Sequence, residues 1–340
     1  MSSNGNPCIL YGELYTKYKS EIISEVISKT NIEKNKLKHS KQNDVIIPCS
    51  GETAVDIAVA RCVPFDNVLL GGDLNIIRLH KYDGAFMAYQ LNSKRKIEIA
   101  KLAQGVSVVH LYGENLKSIN TFNPSLQEQQ KIVRLLSLLD ERIKVQNKII
   151  EDLKKLKSAI YQELFSNLQG EEKSLSELAE ITKGQQVNGN QLNENGKYYV
   201  MNGGIMPSGY YDDYNTEAGT ISISEGGNSC GYVQYNKSKF WSGGHCYTLH
   251  IKPTARISTL FLFHFLKWKE EDIMALRIGS GLPNIQKKDL SKVRIIVPTF
   301  DKQQRLIALL STLQMKIEYE EMYTINLDKQ KLHLLSQMFI

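Results

Sequence analysis

The sequence predicts an α+β protein: two strand-rich α/β domains in pseudo-twofold repeat, separated by two long helices that pair as an antiparallel coiled coil. Three observations predict it. The chain resembles itself, each copy changes from strand-like to helix-like apolar spacing, and two uninterrupted helical stretches of matching length result. The self-similarity is clearest where NPSLQEQQKIVRLLSLLDERI, from Asn123, aligns with VPTFDKQQRLIALLSTLQMKI, from Val297. Pro124 then pairs with Pro298 and Gln129-Gln130 with Gln303-Gln304, an offset of 298 − 124 = 174. The same offset pairs Gly105 with Gly279 and Leu116 with Leu290, and a nearly equal one, 244 − 72 = 172, pairs Gly71-Gly72 with Gly243-Gly244.

The first domain spans 1–124 and opens with NPCILYGELYTKY, whose Cys8-Ile9-Leu10-Tyr11 aligns with Tyr199-Val200-Met201-Asn202. The second domain, 170–299, starts further upstream with SLSELAEITKGQQVNGNQLNENGKYYVMNGG, so about two dozen of its residues have no partner in the first copy. Each domain holds a β-branched run ending in Ser and Gly, VIIPCSGE at Val45 and TISISEGG at Thr220, and then a glycine pair before another apolar strand.

The first long helix covers 125–169. Ile132, Leu135, Leu139, Ile149, Leu153, Leu156, Ile160 and Leu164 fall at three- and four-residue steps with no internal Pro or Gly. The second covers 300–340, with Ile307, Leu310, Leu313, Ile317, Leu327 and Met338 interrupted by the polar patch Glu318 to Glu321. At about 1.5 Å per residue each helix reaches roughly 60 Å. Two such seams in one chain are expected to pack on each other, with a homodimer zipper as the alternative.

Composition bounds the class. A length of 340 residues exceeds one hydrophobic core, and 42% hydrophobic with 23% charged residues suits globular folding. Cys8, Cys49, Cys62, Cys230 and Cys246 are scattered and never form CxxC, which argues against a disulfide framework or a zinc ribbon and for a reducing compartment. MSSNGNPCIL has no basic-then-apolar leader, and the most apolar stretch, Thr259 to Leu266, is too short to cross a bilayer; a cytoplasmic, non-membrane protein is expected. A net charge of +6 permits a polyanionic partner without requiring one.

Catalytic signatures are missing. No Pro-Pro occurs, so the [DN]-P-P-[FY] loop of DNA adenine methyltransferases is absent, as is the G-x-x-x-x-G-K-[ST] phosphate cradle of a translocase. His245 beside Cys246 and Ser229 beside Cys230 admit a thiol or serine hydrolase, but neighbours on a strand point to opposite faces. The histidines show no repeated H-x-x-x-H spacing. No catalytic residue and no metal ligand is therefore assigned.

A globular domain followed by a long helix that carries a proline and, five residues on, Gln-Gln, and then both again, resembles the specificity subunit of type I restriction-modification systems. The most specific strings are GSGLPNIQKKDLSKVRIIVP, Gly279 to Pro298, and QGVSVVHLYGENLKSINTFNP, Gln104 to Pro124. The resemblance covers nearly the whole chain. It implies two target-recognition domains that read a bipartite site in double-stranded DNA, without catalysis. It also implies two methyltransferase (modification) subunits bound through the helices, around Ile132, Leu135, Leu139, Leu153, Ile307, Leu310 and Leu313, with restriction/translocase subunits joining them. S-adenosylmethionine, ATP and Mg would belong to those partners, leaving this chain with no cofactor. A coiled-coil scaffold without DNA affinity, or a Cys/Ser hydrolase, is the alternative.

If DNA is read, phosphate contacts position the protein and base-edge contacts carry the sequence information. In the first domain Lys29, Lys34, Lys36, Lys38, His39 and Lys41 cluster before the Val45 strand, and Ser50 ends that strand. In the second, Lys183, Lys237, Lys239, Arg277, Lys287 and Lys288 are more dispersed. Base-reading candidates sit in glycine-rich turns: Gln185, Gln186, Asn188 and Asn190 after Lys183-Gly184, Asn202 beside Gly203-Gly204, and Ser280. A solvated loop and ordinary turn chemistry are the bland readings of these two groups. Asn284 reads as a helix N-cap and the many tyrosines as packing residues.

Overall fold

A computed structural model describes residues 4–279 and 281–339. It divides into two compact units, Met1–Ile149 with Glu320–Ile340, and Ile150–Tyr319. The first contains β1 (Asn6–Ile9), α1 (Glu13–Thr16), β2 (Ser28–Thr30), β3 (Lys38–His39), β4 (Asp44–Pro48), β5 (Ser50–Gly51), α2 (Ala54–Ile57), β6 (Arg61–Val63), β7 (Leu69–Leu70) and β8 (Leu74–Ile77). Then come α3 (Gly84–Asn92), α4 (Arg95–Lys101), β9 (Val109–His110), α5 (Gly113–Leu116) and the beginning of α6 (Leu126–Ser166). The strands form a sheet in the order β2-β1-β7-β3, a second sheet β6-β4-β8, and the pair β5-β9. β4 is central because Val45, Ile46 and Ile47 are β-branched and all fully buried, with Ile46 in one apolar cluster and Val45 and Ile47 in the other.

The second unit contains β10 (Glu171–Ser174), α7 (Leu175–Leu178), β11 (Ala179–Lys183), β12 (Tyr198–Met201), β13 (Gly209–Tyr211), β14 (Thr220–Ser224), β15 (Val233–Asn236), β16 (Trp241–Ser242) and β17 (Cys246–Ile251). α8 (Thr259–Trp268), α9 (Glu270–Ala275), α10 (Lys287–Leu290), β18 (Arg294–Val297) and α11 (Phe300–Met338) follow. Its sheets are β11-β17-β14-β15, β13-β12-β16 and β10-β18. The sequence repeat is a fold repeat. β12 runs antiparallel to β13 and parallel to β16, as β1 does to β2 and β7, and β14 lies between β15 and β17 as β4 lies between β6 and β8.

The strand register corrects one alignment. Gly71 N–H donates to the Ile9 carbonyl at 2.9 Å, and Gly243 N–H to the Met201 carbonyl at 2.8 Å. Ile9 therefore corresponds to Met201 and Cys8 to Val200, one residue later than the expected Tyr199. A one-residue slip exchanges the two faces of a strand, and only the pairing resolves it. Among the described residues the first unit has no counterpart of β10, α7 and β11.

α6 runs for 41 residues and α11 for 39. In the first unit the beginning of α6 meets the end of α11 antiparallel, Asp140 facing Lys331, Arg142 facing Tyr323 and Gln146 facing Glu320. Leu136, Leu335 and Phe339 close this contact around Phe86 and Tyr89. In the second unit Tyr161, Phe165, Leu306, Ile307 and Leu310 enter the domain core, and Lys157 donates to Gln314 at 2.6 Å. Ile307 and Leu310 are buried, while Ile132, Leu139, Leu153 and Leu313 are half-buried. Leu135 is 46% exposed although its neighbour Leu136 is fully enclosed. A helix turns about 100° per residue, enough to carry one of two adjacent leucines outside.

The repeated Gln-Gln motif acquires a structural reason. Gln129 and Gln303, the first glutamine of each pair, are fully buried. The Gln129 amide donates to the Pro124 carbonyl at 2.8 Å, and its oxygen accepts from the N–H of Asp83, the N-cap of α3, at 2.9 Å. Gln303 donates to the Pro298 and Arg256 carbonyls, both at 3.0 Å, and accepts at 2.9 Å from Ser258, the N-cap of α8. Each long helix is thereby tied to its own domain through one buried amide whose polar atoms are all satisfied.

Candidate nucleic-acid interface

In the second unit, glycine-bearing loops converge at one end of the sheets. Gly184 N–H donates to the Cys246 carbonyl at 2.8 Å, Gln185 N–H to the Ser242 carbonyl at 2.8 Å, and His245 N–H to Asn202 Oδ1 at 3.1 Å. A Cβ on Gly184 would lie 2.3 Å from the Gly243 carbonyl oxygen, so only glycine lets these two turns touch. Gln185 and Gln186 are exposed here. The Gln185 carbonyl is held by Trp241 Nε1 at 2.8 Å, and among the described residues its side chain meets no hydrogen-bond partner. Asn202 is half-buried, with its oxygen engaged, and Asn188 caps the turn at Gly189–Gln191.

Glu225 organises the electrostatics of this end. Its carboxylate takes Lys183, His245 Nδ1 at 3.2 Å and the Tyr247 hydroxyl at 3.4 Å. Burial and the Glu225 charge together push the Tyr247 phenol up to about 12. Lys183 is thus already paired. Ile285 N–H donates to the Glu225 carbonyl at 2.8 Å, which brings the exposed Lys287, two residues further on, to the same end. Lys237 and Lys239 lie elsewhere, Lys237 paired with Glu318 at 3.4 Å and Lys239 with Glu217 at 3.2 Å and Tyr214 at 2.7 Å.

The first unit repeats the arrangement. Cys49 N–H donates to the Asp73 carbonyl at 2.8 Å and Leu111 N–H to the Cys49 carbonyl at 2.7 Å, just as Glu225 N–H donates to the His245 carbonyl at 2.9 Å and Ile285 N–H to Glu225. Ser50 is buried and donates to Asp73 Oδ2 at 3.2 Å. β3 is antiparallel to β7 with Lys38 opposite Leu70, so Lys38 and the preceding exposed Lys34 and Lys36 lie toward Gly71 and Asp73. Lys36 makes an exposed ion pair with Glu33, at 3.1 Å. Lys41, on the far side of β3, binds Asp44 through its backbone at 2.8 Å and belongs to the opposite end.

Sequence reasoning gave no DNA-contacting role to several residues of these two ends: Asp73 and His245 at matching positions, Glu225, and two exposed loop tips. Gln104 and His110 exchange backbone hydrogen bonds of 2.9 and 2.7 Å, as Ile278 and Asn284 do at 2.9 and 3.0 Å. The enclosed loops start at Gly105 and Gly279, both at positive φ, and hold out Val106, 97% exposed, and Leu282, 84% exposed. The Gly105–Gly279 repeat was their visible signal. Asn284 pairs across this loop, and the residue capping α10 is Gln286. Ser280 lies outside the described residues.

The hydrolase constellation does not assemble. Cys246 is buried and burial pushes its thiol up to about 11, the opposite of an activated nucleophile, while the exposed His245 turns to Glu225. Cys230 is buried against the Glu225 carbonyl at 2.9 Å and its thiol is likewise raised by burial. Among the described residues no cluster of three or more His, Cys, Asp or Glu could hold a metal, and no helix is long and apolar enough to cross a membrane.

A family model described as the type I restriction modification DNA specificity domain matches residues 2–155 and again 168–327. A protein named as a type I specificity subunit of Mycoplasma pneumoniae is 34% identical over 157 residues, 46% of this chain and 42% of that protein. A similarly named protein of Mycoplasma genitalium is 32% identical over 145 residues, 43% of this chain and 38% of its own length. The aligned stretches thus span under half the length of these relatives. The crystal structure of a type I restriction-modification S subunit from M. genitalium has the same fold, with a TM-score of 0.66 and 23% identity over 98% of this chain and 92% of that one.

Proposed function

The chain belongs to the family of type I restriction modification DNA specificity domains, and from that premise we propose that it reads a two-part DNA sequence, one part with each unit, and recruits the subunits that modify and cut. One observation carries this reading: the hydrogen-bonded loop end built on Cys49, Asp73 and Leu111 recurs on Glu225, His245 and Ile285. Two like surfaces with different side chains suit two different half-sites. Gln185, Gln186 and Asn202 carry amides of the kind that bonds adenine edges, and Lys34, Lys36, Lys38 and Lys287 are exposed cations suited to phosphates.

The chain itself performs no chemistry in this proposal. S-adenosylmethionine, ATP and Mg act on the partner subunits, and the complex works in the cytoplasm. Two methyltransferase subunits dock on the helices, where Leu135, Leu138, Val145, Leu156 and Leu309 leave apolar surface exposed, and restriction/translocase subunits join that core. Methylome sequencing tests the reading: cells expressing the chain with a type I methyltransferase subunit should gain a bipartite methylated motif. Exchanging one unit's loops should alter one half of the motif only. Methylation identical with and without the chain would refute the proposal.

A further inference from the structure

The two units differ in the length of one internal loop. Residues 10–27 join β1 to β2, whereas the much shorter 202–208 join β12 to β13. In the first unit the longer loop folds back along the outer edge of β6. Cys62 N–H donates to the Glu21 carbonyl at 2.8 Å, and Ile23 N–H donates to the Cys62 carbonyl at 3.0 Å. The buried Arg61 guanidinium ties the same loop down, donating to the Leu14 and Tyr18 carbonyls at 3.0 and 2.8 Å. The loop thereby brings the Glu21 carboxylate to Lys331 and places Ile23 in the core.

The second unit keeps the receiving surface under a shorter loop. With Cys49 at the place of Glu225, Val45 corresponds to Ile221, so their cross-strand partners Cys62 and Tyr235 correspond, as do Arg61 and Gln234. The helix repeat likewise matches Lys331 with Lys157 and Asp140 with Gln314. Among the described residues β15 ends its sheet. Alternation along the strand turns the Tyr235 N–H and C=O outward, as it does for Val233, whose N–H donates to Glu270 and whose carbonyl accepts from Lys267. Beside this edge opens a cavity of about 700 Å³, lined among others by Lys157, Gln234, Tyr235, Phe263, His264 and Met315. His264 is 4% exposed; its Nδ1 meets the Tyr161 hydroxyl at 2.6 Å, while its Nε2 and the Gln234 Oε1 are enclosed with no hydrogen-bond partner among the described residues. Lys157 donates to the Gln314 amide oxygen at 2.6 Å, a dipole where Lys331 meets two carboxylates. Burial and then the Lys267 charge hold Lys157 below its ordinary value, although Glu318 acts the other way.

We propose that this groove of the second unit binds an extended peptide segment of a partner protein, one in which a glutamate is followed by two branched apolar residues, the pattern of Glu21-Ile22-Ile23. The first unit displays the bound arrangement, with Ile22 bridged in parallel to Cys62. In the second unit the segment lies parallel to β15 and exchanges main-chain hydrogen bonds with Tyr235. Its carboxylate faces Lys157. When the Tyr161 hydroxyl donates to Nδ1, the His264 ring proton sits on Nε2, a donor for the same carboxylate, and Gln234 Oε1 accepts a main-chain N–H. Ile205, Met206 and Met315, 52%, 74% and 59% exposed, form an apolar rim for the branched side chains. Main-chain bonds along a sheet edge supply affinity, and the enclosed cation selects the glutamate. Both loops compared lie between strands present in both units, and the proposal does not depend on what DNA either unit reads.

The test uses the full 340-residue chain and a dye-labelled synthetic peptide with the sequence of residues 17–26, KYKSEIISEV. By fluorescence polarisation the peptide should bind one to one, and hydrogen exchange should slow at Tyr235 and stay as it was at Cys62. A peptide with Glu21→Gln should bind at least about tenfold more weakly, since a charge-assisted contact becomes a neutral one. On the protein, Lys157→Met should weaken binding of the parent peptide by a similar factor, and the two losses should not add when combined, because both remove the same pair. The peptide variant keeps the test decisive should Lys157→Met disturb folding. Absence of binding, equal binding of the scrambled or the Gln-bearing peptide, losses that add in full, protection only at other segments, or a chain dimer that buries β15 and excludes the peptide would overturn the proposal.

Discussion

Replacing Lys331 by Met should destabilise the first unit by roughly 3–5 kcal/mol, the usual consequence of stranding buried charge. The Lys331 ammonium lies 2.6 Å from Glu21 and 2.6 Å from Asp140, and the three side chains are only 13%, 9% and 11% exposed. Asp140 also accepts from the Tyr89 hydroxyl at 2.7 Å and from Ser20 at 2.9 Å. Methionine keeps the length of the side chain and removes the charge, leaving two largely buried carboxylates without their shared ammonium and only the charge of the buried Arg61 acting on both. Burial by itself disfavours the ammonium, but Glu21 and Asp140 outweigh it and hold Lys331 above its ordinary lysine value. A raised lysine contributes its stability at every pH below the unfolded value, near 10.4, and loses it only as pH climbs through the folded value. The lysine's contribution is therefore constant across neutral pH. Hydrogen exchange at Tyr89 and urea titration would measure the loss, and adding Glu21→Met and Asp140→Leu should restore much of it, because an apolar replacement of the whole group removes the stranded charge. A single-variant loss below about 1 kcal/mol would mean that water reaches the site and that the network is a surface ion pair.

Gln303→Leu should destabilise the second unit by about 2–4 kcal/mol, since the Ser258 N–H and the Arg256 and Pro298 carbonyls lose their common partner; a thermal melt checks it. Burial, with the Lys157 charge added, pushes His264 down to about 4, against about 6.5 unfolded, so between these values the unfolded chain holds the extra proton. Stability is then full above pH 6.5 and should fall by about 3 kcal/mol as pH drops to 4, a loss that His264→Asn should largely remove in melts across that window. Changing Lys34, Lys36 and Lys38 together to Ala should weaken binding to every DNA sequence alike and flatten its salt dependence in gel-shift titrations. Unchanged binding would mark the cluster as a solvated turn.

Much of the fold was legible because duplication leaves a signal that survives divergence. Pro124 with Pro298 and Gln129 with Gln303 remain recognisable because each glutamine must satisfy a carbonyl behind it and an N-cap in front of it, a demand few side chains meet. The helices were legible from period alone. The seam was blurred, since Leu135 and Leu136 are equally apolar and only the neighbouring Phe86, Tyr89 and Leu335 decide which one is enclosed. The start of the first domain was misaligned by one residue, because Cys8-Ile9 fits either register until Leu69 and Leu70 are placed beside it.

The candidate interface was only partly legible. Lys, Gln and Asn near glycine pairs marked loops that the fold gathers at one end of each unit, but sequence carries no information on which cation already has a carboxylate. Lys183, Lys237 and Lys239 look alike as letters and differ from Lys34 and Lys287 in that Glu225, Glu318 and Glu217 meet them.

By itself the sequence determined the repeat, the two long helices and the family they resemble, since periodicity, glycine pairs and the Pro and Gln-Gln spacing are local properties of the chain. Tertiary structure alone decided which charges are neutralised, which leucines face inward, and that among the described residues β8 has one neighbour where β17 has two. Those outcomes depend on contacts between residues far apart along the chain, such as Lys331 with Glu21 or Lys183 with Glu225, whose distances no local pattern encodes.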